Sequence, residues 1–281
     1  MLANANRKMI ILTTLFFLTV GETAAAPEVK IINPSPYPGD IVIVDLMNPN
    51  TASGTFDGSP LKFFSYGKMM RSIFPIPVTK RAADYKLNVE SYGSPPVEIV
   101  ITVRPKIFPR LALGVPKKLE TTPKGLVQKI VASKRGVESA FQRETPVWLA
   151  TTGFGLPLAV NRLGSPFGEM RITGSQTIRH LGADFRGRTG TKVYAIGAGL
   201  ASVAGFDEIY GNHVILDHGF GVFSFYLHLN QMLIKTGEFL KRGTPIGTIG
   251  ETGYATGPHL HLTLKVKGVS VDPVRFVTLF R

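Results

Sequence analysis

The histidines are the first sign of chemistry in this 281-residue chain, because all six lie in one window of 82 residues, 180–261. They are His180, His213, His218, His228, His259 and His261. From His259 to Val266 polar and apolar residues alternate, which is typical of a strand with one buried face. Side chains alternate between the two faces of a strand, so the sequence predicts that His259 and His261 project together from the face opposite the core.

A second strand-like run, from Phe223 to Leu229, adds a third imidazole. Its odd positions are apolar, so alternation places His228 on the same face as Tyr226, away from the core. Tyr226 could contact a substrate or only brace that face, and the sequence leaves both roles open. Two strands are therefore predicted to present three imidazoles on non-core faces.

A histidine and a carboxylate also occur close together, at His180 and Asp184, beside a glycine. The chain has no cysteine, which excludes disulfides, a thiol nucleophile and thiolate metal ligands. Any metal must therefore bind nitrogen and oxygen atoms. Two imidazoles and one carboxylate would leave a tetrahedral zinc ion one open position for water, as a hydrolase requires.

Five consecutive motifs carry a family resemblance. They are His-x-Gly-x-Asp-Phe at 180–185, Gly-Thr-x-Val-x-Ala at 190–195, Gly-Asn-x-Val-x2-Asp-His-Gly at 211–219, Tyr-x-His-Leu at 226–229 and Gly-Pro-His-Leu-His at 257–261. In order and spacing they resemble the lysostaphin/LytM-type zinc metallopeptidases, which cut peptidoglycan cross-bridges. The resemblance covers about residues 150–281, preceded by an extra N-terminal region.

The resemblance implies a role for each polar residue. One Zn²⁺ ion would bind His180, Asp184 and His261, while His228 and His259 would assist as the proton acceptor and the group that stabilises the oxyanion. The order of those two roles stays open.

The remaining histidines have weaker expectations. His213 is expected to be structural, and His218 to support a ligand or a turn. The alternative function is a non-catalytic relative that activates another enzyme or acts as a wall-binding or envelope adaptor. Such relatives are recognised by missing metal ligands, and here none is missing.

The N-terminus has the layout of a secretory signal. Arg7 and Lys8 precede a twelve-residue apolar run, Met9 to Val20, and alanines follow up to residue 26. The run is too short for a transmembrane helix, which needs about 20 apolar residues. We therefore expect residues 1–26 to direct export, no stable membrane anchor, and a periplasmic, wall-associated or secreted protein.

The formal net charge is +13, and it is unevenly distributed. Residues 27–103 contain seven basic and seven acidic residues, so the excess lies further along the chain. A basic surface favours polyanionic partners. Export makes peptidoglycan and other anionic cell-envelope polymers the expected partners, and no nucleic-acid-binding motif is present.

The predicted fold is mainly β, in three parts. Short strand-like runs between turn clusters predict a small Ig-like β-sandwich at residues 27–104, with a possible tyrosine corner at Tyr85. Residues 105–149 read as a basic linker with a short helix from Lys124 to Gln142, and residues 150–281 as an antiparallel β-sheet metallopeptidase domain. The region 27–149 either covers the metal cleft or holds the enzyme on the wall, and we favour covering.

Overall fold

The computed structural model of the protein describes residues 28–47, 51–112, 133, 141, 144–173 and 176–280. Its architecture is mainly β, as the sequence predicts. The predicted secretory segment and most of the predicted linker helix lie outside these ranges, although Ser133 and Phe141 are described and both are helical. Among the described residues, no helix has the length and apolar character needed to cross a membrane.

Eight strands form a β-sandwich near the N-terminus. They are β1 (Val29–Ile32), β2 (Ile41–Met47), β3 (Ser53–Phe56), β4 (Ser59–Pro60), β5 (Phe64–Tyr66), β6 (Met69–Pro75), β7 (Ala83–Glu90) and β8 (Val97–Val103). Two four-stranded sheets result, in the orders β1-β2-β6-β5 and β4-β3-β7-β8. The core between them includes Val42, Phe74, Leu87 and Ile101, all with less than a tenth of their surface exposed.

Two polar features stabilise the sandwich locally. Tyr85 Oη donates a hydrogen bond to the carbonyl of Arg81 at 3.0 Å, which is the contact expected of a tyrosine corner.

Strand β6 was not evident from the sequence, because a charged residue interrupts its apolar pattern. That residue, Arg71, is buried and makes two 2.7 Å hydrogen bonds to Asp45 on the neighbouring strand, so its charge is neutralised within the sheet.

A short three-stranded sheet follows the sandwich. Strand β9 (Arg110–Ala112), from the start of the predicted linker, pairs in parallel with β11 (Met170–Thr173), and β11 pairs with β12 (Gln176–Arg179). The linker therefore contributes a strand beside the hairpin that leads into His180.

The C-terminal region is built on one large antiparallel sheet. Its strands are β10 (Arg162–Ser165), β13 (Ala183–Arg186), β14 (Lys192–Tyr194), β15 (Gly199–Asp207), β16 (Gly211–Asp217), β17 (Val222–Met232), β18 (Phe239–Leu240), β19 (Pro245–Ile249), β20 (His259–Val266) and β21 (Val269–Val271). The main path runs β10-β13-β20-β17-β16-β15-β18, while β14, β19 and β21 lie off it. A final helix, α1 (Pro273–Leu279), packs against the sheet, with Asp272 as its N-cap.

The central strand β17 is buried on both faces, which differs from the single core face predicted for it. Tyr226 is fully buried in the main core, whereas Phe223, Phe225 and Leu227 form a second cluster on the opposite face. Phe141 packs against that second cluster, with ring centroids 5.0 Å from Phe225. Tyr226 is therefore a core residue, and the prediction that it lies on a non-core face is wrong.

One hydrophobic core continues across the predicted boundary between the sandwich and the C-terminal region. Ile41, Ile43, Phe64 and Ile73 of the sandwich belong to the same buried cluster as Trp148. The rings of Phe64 and Trp148 stack with centroids 5.0 Å apart. The two regions therefore share buried apolar surface.

Polar contacts also stabilise the junction between the sandwich and the C-terminal region. Arg275 of α1 makes a two-pronged ion pair with Asp40, with Nη2 2.7 Å from Oδ2. The Asp272 amide donates to the carbonyl of Gly39 at 2.8 Å. The junction is thus held by a nearly buried carboxylate as well as by apolar packing.

Candidate metal and active site

Strand pairing brings the predicted metal ligands together. Asp184 on β13 lies directly opposite His261 on β20, and Leu227 on β17 flanks His261 from the other side. Cross-strand partners share one face of the sheet, so the Asp184 and His261 side chains meet. His180 reaches them from the loop after β12, where its backbone is hydrogen-bonded to Gly168 and Glu169.

Three donor atoms converge at this point. Asp184 Oδ1 lies 2.7 Å from His261 Nδ1 and 3.1 Å from His180 Nε2, and the two nitrogens are 3.1 Å apart. One ligand atom from each residue lies within 4.8 Å of the others. Gly182 makes the approach possible, because a Cβ there would stand 2.5 Å from His261 Nε2. Two imidazoles and a carboxylate are a donor set that fits a divalent transition metal.

Backbone carbonyls orient three of the imidazoles. His180 Nδ1 hydrogen-bonds to the Pro166 carbonyl at 3.0 Å, and His228 Nδ1 and His259 Nδ1 to other carbonyls at 2.9 and 2.7 Å. A carbonyl accepts only, so each Nδ1 carries a proton, and in the neutral imidazole the lone pair lies on Nε2. His180 Nε2 is thereby presented to Asp184 and His261 as a ligand atom.

His228 reaches the cluster by a β-bulge, not by the alternation that the sequence suggested. Asn212 pairs with Leu229 and Val214 with Tyr226, so two residues of β17 oppose one residue of β16. His228 has a φ of 62°, a left-handed conformation that non-glycine residues seldom adopt. The bulge turns its ring away from the core and toward His259, with centroids 5.0 Å apart.

The second oxygen of Asp184 is bound by an arginine that sequence reasoning missed. Arg171 Nη2 donates to Asp184 Oδ2 at 2.6 Å, and Arg171 Nε donates to the buried Glu169 at 3.1 Å. Only Oδ1 therefore faces the imidazoles. No spacing rule links residues 171 and 184, because it is the β11–β12 hairpin that brings them together.

Burial and charge set the protonation of the cluster. Burial alone would raise the pKa of Asp184, but hydrogen bonds with His180 and His261 and their electrostatic attraction hold it far below its usual range. Burial lowers the pKa of His261, and Asp184 only partly offsets this. Burial, together with the charge of His261, lowers the pKa of His228 to about 4. The carboxylate is thus ionised and these two imidazoles are neutral near pH 7.

Comparison with known proteins gives a family match over part of the chain. Residues 178–273 match the model of peptidase family M23. The chain carries an M23 domain. A crystal structure of a peptidase M23 from Pseudomonas aeruginosa superposes with a TM-score of 0.66 at 27% identity, covering 88% of this chain and 96% of that one.

Two relatives that match this chain in part are both named as endopeptidases. Peptidoglycan DD-endopeptidase ShyC of Vibrio cholerae is 39% identical over 120 residues, which are 42% of this chain and 28% of the relative. DD-carboxypeptidase/endopeptidase Mpg of Neisseria meningitidis is 38% identical over 124 residues, or 43% of this chain and 29% of the relative. The match thus spans less than a third of each relative's length.

The other two histidines of the M23 domain lie apart from the cluster contacts. His213 hydrogen-bonds to the carbonyl of Gly211 and is buried. His218 is fully buried, with Nδ1 2.8 Å from the Ala198 carbonyl and Nε2 2.8 Å from Ser224 Oγ. Ser224 in turn donates to Tyr226 Oη at 3.1 Å. His218 therefore supports the core, and its hydrogen bonds do not reach the cluster.

Proposed function

We propose that this chain is a zinc-dependent endopeptidase that hydrolyses peptide cross-links of bacterial peptidoglycan. The observation that carries the proposal is the convergence of His180 Nε2, His261 Nδ1 and Asp184 Oδ1, with two further imidazoles beside them. The names of the M23 relatives supply the substrate class.

His180, Asp184 and His261 are the proposed ligands of one Zn²⁺ ion. When bound, the ion supplies Lewis acidity, which polarises the scissile carbonyl and makes water nucleophilic near neutral pH. Arg171 binds Oδ2 of Asp184, so that only Oδ1 is presented to the site. The Asp184, His259 and His261 side chains keep 13%, 20% and 16% of their surface exposed, so substrate can approach from their side.

His228 and His259 are the proposed assisting residues. Each has a free Nε2 lone pair because its Nδ1–H is bound to a carbonyl. One Nε2 can accept the proton of the attacking water, and the other, once protonated, can donate to the oxyanion. His259 Nε2 lies 3.9 Å from Asp184 Oδ1, outside the group of three donor atoms, which favours an assisting role over ligation.

Export belongs to the same proposal. Peptidoglycan lies outside the cytoplasm, and the first 26 residues have the layout of a secretory signal. We propose a periplasmic, wall-associated or secreted enzyme with the division at residues 104 and 149 predicted from the sequence. A fusion of residues 1–26 to a reporter that is active only after export tests the signal, and retention of the reporter in the cytoplasm would refute it.

Digestion of defined cross-linked muropeptides, followed by mass spectrometry, tests the function directly. The full chain should release un-cross-linked peptides, lose this activity after treatment with a chelator, and regain it when zinc is added back. The non-catalytic alternative predicts no cleavage by pure protein with a full complement of zinc. That result would remove the proposed activity.

A further inference from the structure

Two arginines extend the polar face of the sheet beyond the histidine cluster. Arg186 follows Asp184 by two residues on β13 and lies directly opposite His259 on β20. Because alternate residues of a strand share a face, and so do cross-strand partners, Arg186 projects on the same face as Asp184 and His259. Its guanidinium thus belongs to the surface beside the proposed assisting histidine.

Arg162 is the cross-strand partner of Arg186 on β10, the edge strand of the main path. Both arginines are exposed. Like charges on directly opposite residues destabilise a sheet, so this pairing is unfavourable for the isolated protein. Arg186 is also held in place: its Cγ would stand 3.1 Å from a Cβ at Gly164, so its stem packs over that glycine.

The pair contrasts with three arginines whose partners are carboxylates. Arg71, Arg171 and Arg275 each bind a carboxylate of the chain itself. Over the ranges that the structure describes, no hydrogen bond or ion pair is made by the guanidinium of Arg162 or Arg186. The two guanidinium groups are therefore available for an anion that the described residues do not supply.

We propose that Arg162 and Arg186 form a subsite that binds a carboxylate of the peptide substrate next to the scissile bond. This rests on the proposed endopeptidase function. Guanidinium groups match the planar geometry of a carboxylate and bind it through paired hydrogen bonds. The position opposite His259 fits a carboxylate carried by the substrate chain within a residue or two of the bond that is cut.

Two synthetic peptides test the subsite, identical except that one carries a free carboxylate and the other a carboxamide at the same position. With full-length protein loaded with zinc, Arg186→Ala should weaken binding and raise KM about tenfold for the carboxylate peptide, as expected when a partly exposed charge-assisted contact is lost. Binding of the carboxamide peptide and zinc content should not change. Arg162→Ala should act in the same direction.

Lys241→Ala is the matched control, because this substitution also removes one positive charge. Lys241 is exposed and follows β18, at the opposite end of the sheet path from β10. The substitution should leave both peptides unaffected. Equal losses for the two peptides in Arg186→Ala, or no loss for either, would overturn the subsite. So would a loss confined to a phosphate-containing wall polymer, which would assign the pair to anchoring.

Binding is measured by calorimetry as well as by cleavage, which separates this proposal from the function on which it rests. If the wild-type chain cuts neither peptide but binds the carboxylate form more tightly through Arg186, the endopeptidase proposal fails and the anion subsite stands. If the wild-type chain cuts both peptides with equal KM, the endopeptidase proposal stands and the anion subsite fails.

Discussion

Two carboxylates of this protein are similar in burial but differ in the chemical groups that contact them. Asp40, at the junction of the two regions, and Asp184, in the histidine cluster, are both largely buried and both bind an arginine. The remaining contacts of Asp40 are the amide of Tyr37 at 2.9 Å and Asn33 Nδ2 at 3.4 Å. Those of Asp184 are two imidazoles.

The difference lies in whether the donors can give up their protons. Guanidinium and amide groups keep their hydrogens at every ordinary pH, so Asp40 is satisfied by N–H groups and cannot share a cation with its neighbours. An imidazole nitrogen can lose its proton and expose a lone pair. The site of Asp184 can therefore convert from a hydrogen-bonded cluster into a set of metal ligands. Each carboxylate thus has an arginine partner, and the imidazoles decide which one can bind metal.

The same substitution at both carboxylates gives the largest expected contrast. Asp184→Asn should lose stoichiometric zinc and all measurable hydrolysis, because a ligand charge is removed while the fold keeps its shape. Asp40→Asn should retain zinc and turnover but lose about 2 kcal/mol of stability, a value reduced because Arg275 is partly exposed.

Metal analysis, peptide hydrolysis and urea unfolding of both variants check this contrast. His180→Ala should behave as Asp184→Asn does. Full zinc occupancy in either cluster variant would remove that residue from the ligand set, and loss of zinc in Asp40→Asn would show that the junction and the cluster are coupled.

The next contrast lies within the cluster, between ligands and assisting residues. His228→Ala and His259→Ala should keep their zinc yet lose about 10²- to 10⁴-fold in kcat, the usual effect of removing a general acid or base. Inductively coupled plasma analysis and single-turnover kinetics on the same samples separate metal loss from chemical loss. Depletion of zinc in His259→Ala would mean that this residue, and not only His261, binds the ion.

Arg171 offers a smaller effect, because it acts through Asp184. Arg171→Ala should weaken zinc binding by about 10- to 100-fold, as is usual when a partner of a ligand is removed. Competition with a chromophoric chelator measures this without reference to activity. Arg171→Lys should recover part of the affinity, since a single charge can still reach one oxygen, whereas unchanged affinity in both variants would leave Arg171 with a structural role only.

The sequence was sufficient for many strands and for the faces on which several polar residues lie. The polar and apolar alternation from His259 to Val266 predicted β20 and the shared face of His259 and His261, and the structure has both. Strands β1 and β8 have the predicted bounds. These segments could be predicted because one face is buried and the local pattern alone decides the conformation.

Long-range contacts were beyond the reach of local patterns. The bulge at His228 depends on pairing with two other strands, and strict alternation consequently misplaced Tyr226. Arg171 joins the site only through a hairpin. The shared core at Phe64 and Trp148 likewise requires two distant segments to meet, so neither the sandwich nor the linker pattern indicated it.

This shared core bears on the two hypotheses for residues 27–149. Within the described ranges, no hydrogen bond, ion pair or ring contact joins the sandwich to His180, Asp184, His228, His259 or His261. Covering of the cleft by residues 27–149 stays a prediction. A fragment of residues 146–281 would expose Trp148 and its neighbours, so substitutions within 105–149 of the full chain are the sharper test.

The smallest expected effect concerns an imidazole without a carboxylate contact, His218. Its burial lowers the pKa to about 4, against 6.5 for the unfolded chain, although the Ala198 carbonyl and the charge of Asp217 act in the opposite direction. Between these two values the unfolded state binds more protons, so stability falls as the pH drops from 6.5 toward 4. Metal-free wild-type protein, kept in chelator to exclude zinc release, should therefore lose about 1 kcal/mol more than His218→Asn between pH 7.5 and 5.5. Asparagine can still donate to Ala198 but does not titrate, so the difference between the two urea-unfolding slopes with pH isolates the imidazole even if the variant starts from a lower stability. Parallel pH profiles for the two proteins would show that the pKa of His218 is the same in the folded and unfolded states, which would contradict this prediction.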